Sequence, residues 1–498
     1  MNYRSTRNSS ISVTSAHAIT KGLSDEGGLY VPDSIPQLTE AEITAMCGMS
    51  YADRAYEVFS RLLTDFTPEE IRHCVDSAYN DKNFDTNNIA EIEKIEALNT
   101  YILELWHGPT CAFKDMALQI LPYLLTTSAK KTVDGKQIAI LVATSGDTGK
   151  AALEGFKDVD GTSITVFYPE DGVSPMQKRQ MTTQEGGNVH VCAVKGNFDD
   201  CQNGVKAIFT DSAIADRLAK NNILLSSANS INWGRLAPQI VYYVSTYAEL
   251  IKQGEIKFGD KINVVVPTGN FGNILAAYYA KLMGIPVNKL ICASNSNNVL
   301  TDFINTGVYD RNRKFFTTVS PSMDILISSN LERLLYHLCG ENDAVINDWF
   351  GKLKTDGRYE INADVKAKIG ELFYAGCCSD DETESEIKEI FGKYGYLIDT
   401  HTAVAVKVYE DYRRATGDTT KTVIASTANP YKFGRAVYAA IGGNADIEDE
   451  FELIAQLEKA TSTKMPAPLA ATKNKPVRFT GSVEKQDMSG VVLDFLKS

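Results

Sequence analysis

With 498 residues, 44% hydrophobic and 23% charged, the chain has the composition of a globular protein with about three domain-sized units. A formal net charge of −13 and a pI near 5.1 argue against a nucleic-acid partner or an anionic membrane surface. No apolar run reaches the roughly 20 residues of a membrane span, and the nine cysteines show neither a C-x-x-C pair nor a Cys/His zinc spacing. No membrane, no metal and a reduced, cytoplasmic protein are therefore expected, with no protein partner demanded by any long apolar stripe.

The start, "MNYRSTRNSSISVTS", has no apolar h-region, so no secretory signal is expected. Residues 1–95 read as an N-terminal domain rich in helix. Segments 52–63 and 69–79 carry apolar residues at helical spacing, and Pro68 is suited to a helix start. The rest, 96–498, reads as a catalytic region of two lobes, roughly 115–220 and 225–440. Its repeating unit is strand, polar turn, helix. "QIAILVA" (137–143) leads to "TSGDTG" (144–149) and a helix over 150–156. "INVVV" (262–266) leads to "PTGNFGN" (267–273) and a helix over 274–284, and "TVIAS" (422–426) leads to "TANP" (427–430) and a helix over 431–442. Such continuously apolar strands belong to a parallel sheet covered by helices on both faces, which makes this an α/β protein. "SITVFYP" (163–169), 174–184 and "NVHVCAV" (188–194) add another unit. Residues 320–395 read as a helical insertion in the larger lobe, and 441–498 as a tail over the surface.

In open α/β sheets ligands bind at the carboxyl ends of the strands, where the three polar turns lie. "TGNFGN" offers two glycines and a helix N-terminus, either an anion cradle or a tight turn that needs glycine only for its backbone freedom. "TSGDTG" is a second candidate, although Asp147 inside an anion cradle would have to face away or meet a donor. "SANSINWGR" (227–235) gathers amides and hydroxyls beside Arg235, suited to a phosphate or carboxylate or simply to a helix start. In "HGPTCAFKDMALQ" (107–119), Lys114 sits in an apolar setting. An isolated lysine is most often a surface cation, whereas a Schiff-base lysine needs the depressed pKa that such a setting supplies. Together, an apolar lysine and a separate phosphate cradle fit pyridoxal 5′-phosphate, whose aldehyde, phosphate, 3′-oxygen and ring nitrogen each need a partner.

These stretches, with "KGLSDEGGLYVP" (21–32), "PSMDI" (321–325), "DTHTAVA" (399–405) and "STANPYKF" (426–433), resemble the threonine synthases in their longer bacterial and fungal form, in order and along nearly the whole chain. The resemblance implies the tryptophan synthase β-like fold, fold type II of pyridoxal-phosphate enzymes. It implies that Lys114 holds the cofactor covalently and acts as the catalytic base. Gly269, Asn270, Phe271, Gly272 and Asn273 would hold its phosphate, Thr427 would face the ring nitrogen, and Asp147 the 3′-oxygen. Ser145, Thr148, Asn229, Ser230 and Arg235 would bind substrate. Asn429 stands where the family usually has histidine, and Cys111 replaces a bulkier apolar residue. His107 and His401 are read as structural. The implied reaction, the last step of threonine biosynthesis, is a lyase chemistry that turns O-phospho-L-homoserine and water into L-threonine and phosphate. The alternatives are another fold type II lyase, such as a threonine or serine dehydratase or a phospho-amino-acid lyase, and a phosphate-ligand sensor without turnover.

Overall fold

The computed structural model describes every residue except 134, 145, 172 and 498. The apolar runs form two separate sheets. In the larger, strands Phe373–Cys377, Val287–Ser294, Ile262–Pro267, Thr422–Ser426 and Thr100–Glu104 run parallel in that order. Glu91–Ile95 closes the edge, antiparallel to Thr100–Glu104. In the smaller, Ser482–Val483, Val189–Val194, Thr162–Pro169, Gln137–Ala143 and Ile223–Ser226 are all parallel. Each central strand is buried along almost its whole length, as a sheet covered on both faces requires. Helix Trp233–Lys252 is buried continuously from Trp233 to Leu250, polar positions included, and packs against helix Gly272–Leu282. Among the described residues no helix is long and apolar enough to cross a membrane.

Three parts of the chain carry more sheet than the sequence suggests. The N-terminal segment has the expected helices Tyr51–Leu62 and Pro68–Ala78, the latter opened by Pro68 and a Thr67/Glu70 capping box. It also has a three-stranded antiparallel sheet of Asn8–Val13, Tyr3–Ser5 and Tyr30–Pro32, whose strands are too short or too polar to show a period. The helix-rich stretch 320–395 supplies Phe373–Cys377 to the edge of the larger sheet. The tail does more than cover surface: Ser482–Val483 extends the smaller sheet, and helix Met488–Leu496 packs Met488 and Val492 into its core.

The N-terminal segment is tied to the first turn of helix Leu331–Leu338. Glu332 accepts from the Thr6 hydroxyl (2.5 Å) and from Arg7 (3.0 and 2.8 Å), while the wholly buried Arg333 donates to the Tyr30 carbonyl (2.9 Å). Strands Ile262–Pro267, Thr422–Ser426 and Thr100–Glu104 are neighbours, so the loops leaving their carboxyl ends emerge side by side.

Candidate active site

Lys114 lies on the loop that leaves Thr100–Glu104, one residue before the short helix Asp115–Leu118. That loop is stitched to the loop of the neighbouring strand. Phe113 N–H donates to the Thr427 carbonyl (2.8 Å), Asn429 N–H donates to the Cys111 carbonyl (3.1 Å), and Ala112 pairs with Ala428. Cys111 is buried and takes a left-handed φ of 58° to make the turn; burial raises its thiol far above the ordinary range, which leaves it an apolar filler. Asp115 is fully buried and accepts from the Thr110 amide and hydroxyl (2.8 and 2.7 Å), fixing the base of the loop. Burial pushes the Lys114 amine down to about 8, with Arg235 and Lys432 adding to the effect and Asp147 and Asp115 opposing it.

The turn after Ile262–Pro267 forms the second wall. Phe271 takes φ 64° and caps helix Gly272–Leu282. Among the described residues the backbone amides of Asn270, Phe271, Gly272 and Asn273 meet no acceptor, and the buried Asn273 Nδ2 has no partner, although its Oδ1 accepts from the Tyr243 hydroxyl. A Cβ on Gly269 would come within 2.9 Å of the Ser322 carbonyl oxygen, so only glycine lets these backbones approach. The Thr427 hydroxyl, on the next loop, is buried and also without a protein partner among the described residues. A helix N-terminus with four free amides, an unmatched amide nitrogen, an unmatched hydroxyl and a partly buried low-pKa lysine form the donor set that a phosphorylated aldehyde such as pyridoxal 5′-phosphate requires, and the residues fit the group.

Helix Asp147–Phe156 of the smaller lobe brings up the third wall. Thr144 does not offer its hydroxyl to a ligand; it accepts from the Gly146 and Gly149 amides (3.0 and 2.9 Å) and holds the turn itself. Thr148 is partly exposed at the helix start, and Ser145 lies outside the described residues. Asp147 is already engaged: it pairs with Lys432 (2.9 Å) and accepts from Gln177 Nε2 (3.0 Å) and the Ser322 hydroxyl (3.4 Å). Burial works against its charge, yet Lys432 and Lys114 outweigh burial and hold the carboxyl well below the usual range. Lys432 and Gln177 both meet Oδ1, and Oδ2 carries only the long Ser322 contact, so the carboxylate keeps acceptor capacity beside the site.

Arg235 sits in the first turn of the buried helix. Its Nη1 donates to the Ala228 carbonyl (2.5 Å) and its buried Nε meets no acceptor, and among the described residues no carboxylate pairs with it. Burial alone lowers it to about 10. A cation held without a counter-ion is a place for an anionic ligand. Ser230 is partly exposed and Asn229 fully so, at the rim. Asn330 joins this loop to the phosphate loop: its amide donates to the Asn270 carbonyl (3.1 Å) and its Nδ2 to the Ser230 carbonyl (3.2 Å). Arg333 clamps it through Asn330 Oδ1 (2.5 Å) and the Ile231 carbonyl (2.6 Å).

Both histidines are occupied within the protein. His401 Nε2 accepts from the Ser322 amide (3.1 Å), so its proton is on Nδ1, donated to Asp399 (2.8 Å). His107 lies between Asp85 (2.7 Å) and Glu104 (2.8 Å); burial opposes its charge, but the two carboxylates raise its pKa. Asn429, in place of the family's histidine, caps the Pro430–Phe433 turn through the Tyr431 amide (3.0 Å). That turn carries Lys432, which the sequence reading did not single out. It is buried and donates to the Thr110 carbonyl (2.7 Å), Gln180 (3.2 Å) and Asp147. Its signal was present, since Tyr431 and Phe433 flank it as Phe113 and Met116 surround Lys114.

A family model for the threonine synthase N terminus matches residues 2–79, one for pyridoxal-phosphate dependent enzymes matches 87–346, and one for the threonine synthase C-terminal region matches 402–487. The chain is 36% identical over 486 residues to threonine synthase of Saccharomyces cerevisiae, covering 93% of each. It is 42% identical over 436 residues to human threonine synthase-like 1, a match that takes in 86% of this chain and 58% of that longer relative. Its structure is similar to that of pyridoxal-phosphate-bound threonine synthase from Brucella melitensis, with a TM-score of 0.88 and 36% identity over the whole of both chains. Against the yeast enzyme the TM-score is 0.87, with 33% identity over 100% of this chain and 98% of that one. Matched from its N-terminal sheet to its C-terminal segment, and built on two largely parallel sheets, the chain belongs to the threonine synthase family of fold type II pyridoxal-phosphate enzymes.

Proposed function

We propose that this chain converts O-phospho-L-homoserine and water into L-threonine and phosphate, with the cofactor held by Lys114. The observation that carries the reading is a lysine whose amine burial brings to about 8, set beside a free-amide loop and a buried arginine that has no counter-ion among the described residues. Bound pyridoxal 5′-phosphate supplies a conjugated ring that accepts electrons from the carbon next to the substrate's amine.

The chain's own groups do the rest. The amides of 270–273 and Asn273 Nδ2 would hold the cofactor phosphate, and the Thr427 hydroxyl would meet the ring nitrogen as a neutral partner. Arg235 takes the substrate's carboxylate or phosphate, with Thr148, Asn229 and Ser230 completing the pocket rim; Ser145, expected to join them, lies outside the described residues. With substrate bound, the Lys114 Nζ would serve as the base, and an amine near 8 both takes and returns protons close to neutral pH. It removes the proton from Cα and then one from Cβ, and phosphate leaves Cγ. Protons return to Cγ and finally to Cα after water adds at Cβ. The cysteines carry no disulfide, in keeping with a cytoplasmic setting.

The test is Lys114→Ala, assayed by threonine and phosphate release from O-phospho-L-homoserine. Loss of the base alone lowers the rate by about 10²–10⁴-fold. Threonine formed at the parent rate would sink the assignment, and a ketoacid with ammonia as the products of the parent protein would favour a dehydratase instead.

A further inference from the structure

The Asp147–Lys432 ion pair lies at the seam between the two lobes. Asp147 opens the helix that follows Gln137–Ala143 of the smaller sheet, and Lys432 sits on the turn that follows Thr422–Ser426 of the larger. The two side chains are 3% and 0% exposed and 2.9 Å apart. Their remaining partners also divide between the lobes. Gln177 and Gln180, on helix Pro175–Thr182, come from the smaller lobe, and Thr110 and Ser322 from the larger. The same helix drives Met176 into the apolar cluster of the larger lobe, beside Cys111, Met323 and Ala428. Lys114 lies within the field of both ions.

We propose that Asp147 and Lys432 form a clasp that holds the two lobes closed over Lys114, and that Lys432 is a positioning residue rather than a ligand contact. This rests on Lys114 being the cofactor lysine. A buried pair with hydrogen-bond partners on both sides of the seam fixes one relative placement of the lobes, because an ion moved off its partner is left uncompensated in an apolar setting. Ser322 reaches Asp147 and Gln180 reaches Lys432 across the same seam, while Gln177 and Thr110 hold each ion from within its own lobe.

The informative variant removes both charges, D147N/K432M, because removing one alone strands a buried ion. Two readouts on the protein itself decide the matter. One is the radius of gyration by small-angle scattering of the cofactor-free protein. The other is the rate at which hydroxylamine strips pyridoxal phosphate from the loaded protein. The double variant should keep a parent-like melting temperature, show a larger radius of gyration and lose cofactor at least about tenfold faster, the lower end of the coupling between close buried charges. A parent-like radius and a parent-like release rate in the folded double variant overturn the clasp. D147N alone, isosteric and still able to accept from Lys432, carries the same expectation with a smaller rise; should the double variant not fold, parent-like release from D147N overturns the proposal. If Lys114→Ala binds the cofactor with the parent's absorbance, the assignment of Lys114 has failed, and the scattering comparison on cofactor-free protein still judges the clasp.

Discussion

Gly269→Ala probes the closest backbone approach in the site. The new Cβ would lie 2.9 Å from the Ser322 carbonyl oxygen and 3.4 Å from Met323 Cα, about half an ångström inside an ordinary contact to the oxygen. The oxygen cannot simply swing aside. Ser322 is fixed by its amide on His401 (3.1 Å) and by its hydroxyl on Asp147 (3.4 Å), and the Gly269 carbonyl is held by the Ser328 hydroxyl (2.7 Å). The strain must move either the 321–323 turn or the phosphate loop, and overpacking of this kind costs about 1–3 kcal/mol. If it falls on the loop, cofactor affinity drops about 5- to 150-fold. The assay is titration of the cofactor-free protein with pyridoxal phosphate by absorbance, alongside thermal melts with and without the cofactor. The expected result is a weaker dissociation constant with a melting temperature that shifts less without cofactor than with it. Parent-like affinity and melting would refute the steric argument, because an alanine accommodated at no cost means the 269–273 loop does not need this approach.

Three further outcomes follow from buried charges. Arg235→Met removes a buried cation that has no carboxylate partner, so the protein should melt no lower than the parent while substrate affinity falls by about 1.5–3 kcal/mol, the worth of a charged hydrogen bond; unchanged substrate titration would rule out Arg235 as the anion site. In the cofactor-free protein the fold disfavours the Lys114 ammonium, whose value drops from 10.5 to about 8. Between these values the unfolded chain binds the extra proton, so the parent gains stability as pH rises. Lys114→Met should therefore be the more stable below pH 8, with the advantage shrinking towards pH 10.5 in paired melts; a constant difference would contradict the depressed value. Glu386 is buried with Oε1 unpartnered, and burial, with Glu410 and Glu389 adding to it, raises it to about 8. Here the folded protein holds the proton between pH 4.5 and 8 and loses stability as pH rises, so Glu386→Gln should gain on the parent across that window, and parallel melting curves would refute it.

The central strands were legible because both of their faces are covered. Gln137–Ala143 and Thr422–Ser426 coincide with the apolar runs, and Ile262–Pro267 extends its run by one residue. Thr100–Glu104 escaped notice because a five-residue run ending in glutamate beside a Trp-His pair gives no helical or alternating period. Ser482–Val483 has two residues and exists only because Val189–Val194 presents an open edge. In the site, Lys114 and the 269–273 loop were expected from the motifs taken together and from the resemblance, not from either stretch alone. The role of Asp147 could not be read there, because it depends on Lys432, 285 positions away in the sequence and on the other lobe. The Arg333 and Asn330 clamp was hidden for the same reason: its acceptors are backbone carbonyls, which no side-chain pattern announces.

The bond between Thr6 and Glu332 spans 326 residues of sequence. A ribosome adding about 5–20 residues per second takes roughly 15 to 65 s to make the intervening chain. For that time the first strands of the molecule exist with Arg7 and the Tyr30 carbonyl facing no partner, and a segment that looks like a leading domain must wait for a helix two-thirds of the way along the chain. Its short strands form an edge open to other chains during the delay. Among the segments made before residue 333, the N-terminal one is therefore expected to be the last protected from exchange during synthesis, and the one most in need of a chaperone until that residue emerges.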